Sequence, residues 1–353
     1  MKVLSPSYGE RDTTPHDYDA ILYLSFGGPE GPDDVMPYLA NVTRGRGVPA
    51  ERLEEVAQHY LSFGGVSPIN EQNRAVIAAL RELLADEGPD LPIYFGNRNW
   101  APYVEDAVAD MTRDGVRRAV AFVTSGFSSY SACRQYREDI ERARDAVGDG
   151  APTIDKIRLF YNHPGFIDAG VDRVAEALER LPESQRDGAH FVFTAHSVPM
   201  RMAETSSYVP QLREAARLVS ERTGDHAWEL AWQSRSGPPS VPWLEPDVSD
   251  HIETLAAGGI RSIVVVPIGF VSDHLEVLFD LDIEARETAD RVGIEMVRAH
   301  AAGTHPAYVR MIRDLIVERI EAPAERPALG PLGPSHDRCG KGCCPAPKRP
   351  GGS

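Results

Sequence analysis

Three strand-like segments in the first half of the chain recur in the same order in the second half. Each is a short apolar run followed by glycine, proline or small polar residues, which is typical of a buried parallel strand and its exit turn. The repetition predicts an α/β protein of two similar domains, each a parallel sheet flanked by helices, with a cleft between them. The paired segments are residues 21–29 and 191–199, residues 93–98 and 230–235, and residues 115–130 and 259–273.

The length of 353 residues is sufficient for two domains, each with its own core. A linker is expected near residues 148–156, and the polar residues 1–17 are expected to be frayed. The predicted units are a first domain over residues 17–150, a second over residues 151–304, a helix over residues 305–322 that packs back across the domains, and a cysteine-containing tail over residues 323–353.

Charge and hydropathy exclude several classes of function. The formal net charge of −16 argues against binding to nucleic acid or to anionic membranes, both of which need clustered basic residues. The sequence contains no run of about 18 apolar residues and no signal-peptide core, so neither a membrane anchor nor export is expected. We therefore predict a soluble, monomeric, cytoplasmic protein.

Three acidic residues recur at every fourth position after the apolar run at residues 263–266. Glu276, Asp280 and Glu284 would lie in one row along a helix face, and His274 lies just before them. One interpretation is an ordinary solvated face; the other is a site for a divalent cation, because like charges in a row repel one another. The position favours the cation site, because open α/β sheets bind ligands beyond the carboxyl ends of their strands.

A histidine occupies the matching exit of a neighbouring strand. His196 follows the apolar run that begins at residue 191, and imidazole both titrates near neutrality and binds metals. A lone histidine is more often a hydrogen-bonded structural residue. Here a catalytic role is favoured, because another strand exit of the same domain carries Glu276. First-domain exits and the basic segment at residues 43–47 are expected to line the cleft with Phe26, Arg44, Ser67 and Tyr130.

Several of these segments resemble the signature sequences of ferrochelatases. The matching strings are residues 62–69 (SFGGVSPI), 194–199 (TAHSVP), 233–235 (QSR) with 243–246 (WLEP), and 267–276 (PIGFVSDHLE). The resemblance extends in order from about residue 19 to residue 320. It implies two similar Rossmann-like (chelatase-type) domains, a porphyrin in the cleft, and insertion of the substrate Fe²⁺ into the macrocycle during haem biosynthesis.

The resemblance also assigns roles to residues. It implies that His196 and Glu276 are the catalytic pair, which between them contact Fe²⁺ and accept the pyrrole protons; which residue does which is left open. Asp280 and Glu284 would relay protons or hold a second cation.

The polar, basic segment at residues 41–47 is similar to that of the bacterial coproporphyrin branch, which produces Fe-coproporphyrin III (coprohaem). Arg44, Arg46, Ser67 and Tyr130 are then candidate propionate contacts. Some members of that branch have a tyrosine at the position of Phe26, where it can ligate the metal. Phenylalanine cannot ligate a metal, so this chain lacks that ligand at position 26. The alternatives are a protoporphyrin IX ferrochelatase, a cobaltochelatase of the same fold, and a porphyrin or metal carrier without turnover. Other enzymes of the haem pathway are expected partners.

Four cysteines are present, three of them close together in the tail. This distribution does not fit a disulfide-stapled fold and favours a metal or cluster site. Resemblance to cluster-bearing ferrochelatases implies a [2Fe-2S] cluster on Cys133, Cys339, Cys343 and Cys344. The C-x3-C-C spacing departs from the C-x2-C-x4-C of the animal enzymes, and a disordered tail with idle thiols is the alternative.

Overall fold

Two four-stranded parallel sheets with the same strand order form the centre of the protein. The computed structural model describes residues 9–45, 47–224, 226–340 and 342–346. The first sheet has the order β3-β2-β4-β5 and the second has the order β7-β6-β8-β9. The strands are β1 Gly9–Glu10, β2 Ala20–Ser25, β3 Ile93–Asn97, β4 Arg118–Val123, β5 Thr153–Lys156, β6 His190–His196, β7 Trp228–Gln233, β8 Ser262–Val266, β9 Glu295–Arg298 and β10 Arg338–Cys339.

The predicted repetition is confirmed by this topology. The predicted pairs of segments contain β2 and β6, β3 and β7, and β4 and β8, which occupy equivalent places in the two sheets. All six residues of β2 and all five of β8 are buried. Helices cover both faces of such a sheet, so its strands are apolar throughout instead of alternating with polar residues.

Helices connect the strands and cover the sheets. They are α1 Val35–Val42, α2 Ala50–Ser62, α3 Ile69–Glu87, α4 Val104–Arg113, α5 Gln135–Val147, α6 Pro164–Arg180, α7 Glu183–Arg186, α8 Met200–Glu204, α9 Tyr208–Arg222, α10 Val248–Ala257, α11 Leu275–Val277, α12 Ala285–Val292 and α13 Pro306–Glu321. Two further segments, Tyr130–Arg134 before α5 and Leu278–Glu284 before α12, are π-helical. Within the described ranges, no helix is both long and apolar enough to cross a membrane.

The first sheet extends past the boundary predicted at residue 150. Strand β5 lies within the range predicted as a linker, but it pairs in parallel with β4. The stretch lacks an apolar run because β5 is an edge strand in which no residue is fully buried. Polar edge strands carry a weak sequence signal, which explains the displaced boundary.

Helix α13 packs against α3 of the first domain and α6 of the second. Its Tyr308 ring lies 6.3 Å from the ring of Phe122 on β4 and 6.1 Å from that of Phe160. These aromatic residues belong to one hydrophobic cluster that includes buried residues of both sheets. Burial of this shared apolar surface fixes the two domains against each other.

Residues 9 and 10 pair with residues 338 and 339, so the prediction that residues 1–17 are frayed is wrong for this part of the range; residues 1–8 lie outside the described residues. Strands β1 and β10 form an antiparallel pair in which Gly9 lies opposite Cys339. Asp12 is buried, its backbone N–H donates to Asp337 at 2.9 Å, and its carboxylate accepts from Arg338 at 2.8 Å. Both segments are polar and are held by contacts with each other. Because the two segments are far apart in the sequence, local patterns do not predict this pairing.

Candidate active site

His196 is the last residue of β6, at the carboxyl edge of the second sheet. Its Nδ1 lies 2.5 Å from the carbonyl oxygen of Ser197. A carbonyl only accepts hydrogen bonds, so Nδ1 is the nitrogen that donates here. The buried Tyr208 donates to the backbone carbonyl of His196 at 3.0 Å and fixes the end of the strand. In the neutral imidazole, Nε2 of His196 is then the nitrogen that can accept a proton or bind a metal.

The loop after β8 lies directly on the strand that carries His196. The Gly269 N–H donates to the Thr194 carbonyl at 3.0 Å. A Cβ atom at Gly269 would lie 2.5 Å from that of Ala195, which is closer than two carbon atoms can approach. A side chain here would push the loop off the strand, so glycine allows the two exits to meet.

Glu276 lies in the short helix α11, where the second domain meets the first. Burial and then the charge of Glu276 raise the pKa of Tyr60, and burial, Tyr60 and Glu276 raise that of Tyr38. Both tyrosines belong to first-domain helices, and their rings lie 5.7 Å apart. Leu275, the neighbour of Glu276, is buried in the same cluster. The carboxylate of Glu276 therefore faces the first domain.

His274 connects the two candidate catalytic residues. Burial lowers its pKa, Glu276 raises it, and His196 lowers it further. Both residues are therefore close enough to His274 to act on its charge. Its ring packs edge-on against Phe270, with 4.9 Å between the ring centroids. His196 and Glu276 therefore both lie in the electrostatic neighbourhood of one half-buried imidazole, that of His274.

The acidic row continues along a π-helical segment, Leu278–Glu284, and not along the regular helix implied by the sequence periodicity. A π-helix has i to i+5 hydrogen bonds, but a step of four residues still returns close to the same face. Asp280 accepts hydrogen bonds from Gln233 Nε2 at 3.1 Å and from Ser234 Oγ. The half-buried Asp280 lies between Glu276 and the exposed Glu284, so the row leads outward from the cleft.

Electrostatics distinguish the middle carboxylate of this row. Burial, together with the charges of Glu276 and Glu284, raises the pKa of Asp280 to about 7, although the hydrogen bonds from Ser234 and Gln233 oppose the shift. Partial desolvation and the nearby charges of Asp247 and Glu287 also raise the pKa of Glu284. Asp280 can therefore take up and release a proton near neutral pH.

One model of a known protein family matches this chain. The ferrochelatase model matches residues 18–320. The chain belongs to the ferrochelatase family. A coproporphyrin III ferrochelatase of Streptomyces griseus is 53% identical, with 95% of each chain covered. A ferrochelatase of Rhodopirellula baltica is 56% identical over 94% of this chain and 95% of its own.

Solved structures extend the likeness to the fold. The sirohydrochlorin chelatase SirB of Bacillus subtilis subspecies spizizenii, in complex with cobalt, has a TM-score of 0.51 at 12% identity. SirB of Bacillus subtilis with Fe³⁺ has a TM-score of 0.53 at 13% identity. The matches cover 87% and 86% of this chain, respectively, and 97% of each SirB chain. At these identities the comparison shows a shared chelatase-type fold.

In this ferrochelatase fold, a side-chain clamp joins the two domains beside the acidic row. Gln72 of α3 donates through Nε2 to the Asp273 carbonyl at 3.1 Å and accepts from the Asp273 N–H at 2.9 Å. The Asp273 carboxylate in turn accepts from the buried Arg298 at 2.6 Å, and Arg298 also binds Asp282 at 2.7 Å. The segment that carries Glu276 is thus fixed from both domains.

The predicted first-domain contacts occupy different environments. Phe26 is half-buried, with the Arg98 guanidinium 5.9 Å from its ring centre. Arg44 is exposed, whereas Ser67 is buried and donates its N–H to the Pro29 carbonyl. Tyr130 is half-buried and donates its hydroxyl to Glu138 at 3.0 Å. Arg46 lies outside the described residues.

Sequence reasoning missed several residues around the acidic row. Tyr38, Tyr60 and Gln72 lie inside amphipathic helices, where nothing in the periodicity separates them from core or surface residues. His59 stacks on Phe279 of the π-helical segment with 3.9 Å between ring centroids. These contacts join residues more than 200 positions apart, so no local pattern predicts them.

The four cysteines are brought together by the pairing of the chain ends. Contact with the Cys339 thiol and then burial raise the pKa of Cys133 well above its usual value. Cys339 also contacts Cys343, and the sulfur atoms of Cys343 and Cys344 are 3.7 Å apart. Nearby positive charge on Lys156 lowers the pKa of both Cys133 and Cys339. The positive charge beside these thiols would stabilise the thiolate forms that bind a metal or cluster.

The raised pKa of Asp280 predicts how stability depends on pH. Because the folded state holds its proton more tightly than the unfolded state, this group makes stability fall as pH rises from about 4 to about 7. Asp280→Asn removes the ionisation, so its Tm relative to wild type should rise between about pH 5 and about pH 8. Thermal unfolding with a chelator present measures this, and Asp290→Asn, an exposed acid on α12, is the control. A Tm difference that does not change with pH would contradict the assignment.

Proposed function

We propose that this chain inserts Fe²⁺ into coproporphyrin III to form coprohaem, as a step of haem biosynthesis. Membership of the ferrochelatase family supports the reaction, and relatives 52–53% identical that are named coproporphyrin III ferrochelatases support the substrate. The observation that carries the proposal is the meeting of His196 and Glu276 around His274, at the junction of the two domains.

The proposed reaction needs a base, because inserting Fe²⁺ into a free-base porphyrin releases two protons. His196 offers a lone pair on Nε2, since Nδ1 is committed to the Ser197 carbonyl. Glu276 offers a carboxylate from the neighbouring exit, so the pair can share metal binding and proton removal. Which residue does which is left to experiment.

Protons would leave along the acidic row. Asp280 has a pKa of about 7, so it can accept a proton from the cleft side and release it at neutral pH. Glu284 is exposed and can return that proton to solvent. The same carboxylates could hold a second cation, which would compete with protonation.

Coproporphyrin carries four propionates, which require polar and basic partners. The exposed Arg44 supplies positive charge in the segment at residues 41–47, here called the first-domain lip, and Tyr130 supplies a hydroxyl group. Arg46 and Ser67 complete the proposed set; Ser67 is buried, so its contact would require the lip to move. Phe26 would contact the macrocycle through its ring and cannot ligate iron.

We also propose that Cys133, Cys339, Cys343 and Cys344 hold a [2Fe-2S] cluster. The number of thiols equals the number such a cluster requires, and the structure gathers them. When bound, the cluster would fasten the tail to the π-helical segment before α5, which carries Cys133, and to the pairing of β1 with β10. A structural or sensing role is consistent with its position beside the chain ends. A cytoplasmic location, a monomeric state and exchange with other haem-pathway enzymes remain predictions.

An assay of purified protein with anaerobic Fe²⁺ and two porphyrins tests the function. We expect coprohaem formation, with a higher kcat/KM for coproporphyrin III than for protoporphyrin IX. His196→Ala should lower the rate by at least about 100-fold through loss of the base or metal ligand. His226→Gln changes a histidine at the opposite end of the same sheet and should leave the rate unchanged.

Three outcomes would contradict the proposal in different ways. Porphyrin binding without metallation would make the chain a carrier. A higher kcat/KM for protoporphyrin IX would overturn the choice of substrate. Equal rates of metallation in wild type and His196→Ala would show that His196 is not a catalytic residue.

Anaerobic purification tests the cluster. The wild type should be coloured and contain two iron and two acid-labile sulfide per chain, and Cys133→Ser should lose both. His336 lies within 4.8 Å of Cys339 and Cys343 and is the alternative ligand, so His336→Gln separates the two ligand sets. Cluster loss in His336→Gln but not in Cys133→Ser would overturn the four-cysteine assignment, and colourless wild-type protein would overturn the cluster.

A further inference from the structure

Two buried histidines and a glutamate meet at the edge of the second sheet opposite the catalytic cleft. His190 begins β6, Glu229 lies near the start of β7, and His251 lies on α10. His196 ends β6, so at roughly 3.3 Å per residue the two sites lie about 20 Å apart. The proposed chemistry of the cleft involves none of these three residues.

The three side chains have the spacing of a metal site. The carboxylate Oε2 of Glu229 lies 2.9 Å from Nε2 of His251 and 3.5 Å from Nε2 of His190. All three ligand atoms lie within 4.8 Å of one another. In a tetrahedral zinc site with bonds of about 2.0–2.1 Å, neighbouring ligand atoms are about 3.3 Å apart. Small side-chain movements would therefore place one ion in contact with all three.

The two imidazole Nε2 atoms face the Glu229 carboxylate without forming a well-aligned hydrogen bond to it. His190 is 8% exposed and His251 is 7% exposed. Buried polar atoms are normally hydrogen-bonded, so two such atoms that face one carboxylate in poor hydrogen-bond geometry point to a missing ligand.

We propose that His190, Glu229 and His251 bind a divalent transition-metal ion of the zinc type. Two imidazoles and one carboxylate suit Zn²⁺, Co²⁺ or Ni²⁺ better than Mg²⁺ or Ca²⁺, which prefer oxygen ligands alone. Glu229 is exposed, so the ion has a path from solvent and an open position for water.

The site would act as a clamp within the second domain. His190 and Glu229 belong to adjacent strands, and His251 belongs to the helix that packs on β7. An ion bound to all three ties α10 to the amino-terminal edge of the sheet. Because only the folded state holds the three ligands together, binding raises the stability of the domain.

Titration of the full-length protein with Co²⁺ tests this site. Cobalt held by nitrogen and oxygen gives visible d–d absorption without the thiolate charge-transfer bands that the cysteines would give. The wild type should bind one more equivalent of Co²⁺ per chain than His251→Gln. The control is Glu253→Gln, which changes an exposed acid on the same helix and should bind as much Co²⁺ as the wild type. Loss of a hydrogen bond that supports a ligand lowers metal affinity roughly 10–100-fold. Loss of the ligand itself should lower the Co²⁺ affinity by more than that.

The rate of porphyrin metallation checks that each variant is folded. Loss of the third ligand should leave this rate unchanged, because the site lies away from the cleft. If His251→Gln fails to fold, Glu229→Gln at the exposed position replaces it and should lose the same equivalent. Equal Co²⁺ stoichiometry and affinity in wild type and the folded variants would overturn the site. The binding readout does not depend on turnover, so an inactive wild type would still decide it.

Discussion

The geometry of the candidate site depends on the interactions of Asp273, which join the two domains. Its backbone makes two hydrogen bonds with Gln72 of the first domain, and its carboxylate accepts from Arg298 of the second. Arg298 also holds Asp282, so one buried guanidinium fixes both ends of the segment that carries Glu276. Breaking a buried pair by removing one partner typically costs about 3–5 kcal/mol. The position of Glu276 against Tyr38 and Tyr60 follows from this clamp.

Each half of the molecule has a π-helical stretch at the equivalent place, and the two stretches carry different functional side chains. Strands β4 and β8 are equivalent, and the segment after each contains a π-helical stretch that leads into a regular helix. In the first domain that stretch carries Cys133, which meets the tail cysteines. In the second it carries Asp280 and Glu284. Because π-helical turns often occur at functional sites, both stretches are natural places for ligand-binding side chains.

Much of this architecture could be predicted from sequence because its signals are local. The buried strands are apolar runs with sharp exits, their repetition predicts the two sheets, and the matching exits make His196 and Glu276 candidate partners. Strand β5 and the pairing of β1 with β10 could not be predicted, because both are polar and become ordered only through distant partners. Gln72, Tyr38 and the His190, Glu229 and His251 cluster were missed for the same reason. Their function arises from tertiary proximity and leaves no periodic pattern in the sequence.

The most direct test of the central claim is a crystal structure of this protein with coproporphyrin III. The macrocycle should occupy the cleft between the domains, with its ring nitrogens facing His196 and Glu276 and its propionates directed toward the first-domain lip at Arg44. The acidic row from Asp280 to Glu284 should lead away from the ring centre to solvent. A macrocycle bound outside the cleft, or one whose nitrogens contact neither His196 nor Glu276, would contradict the claim.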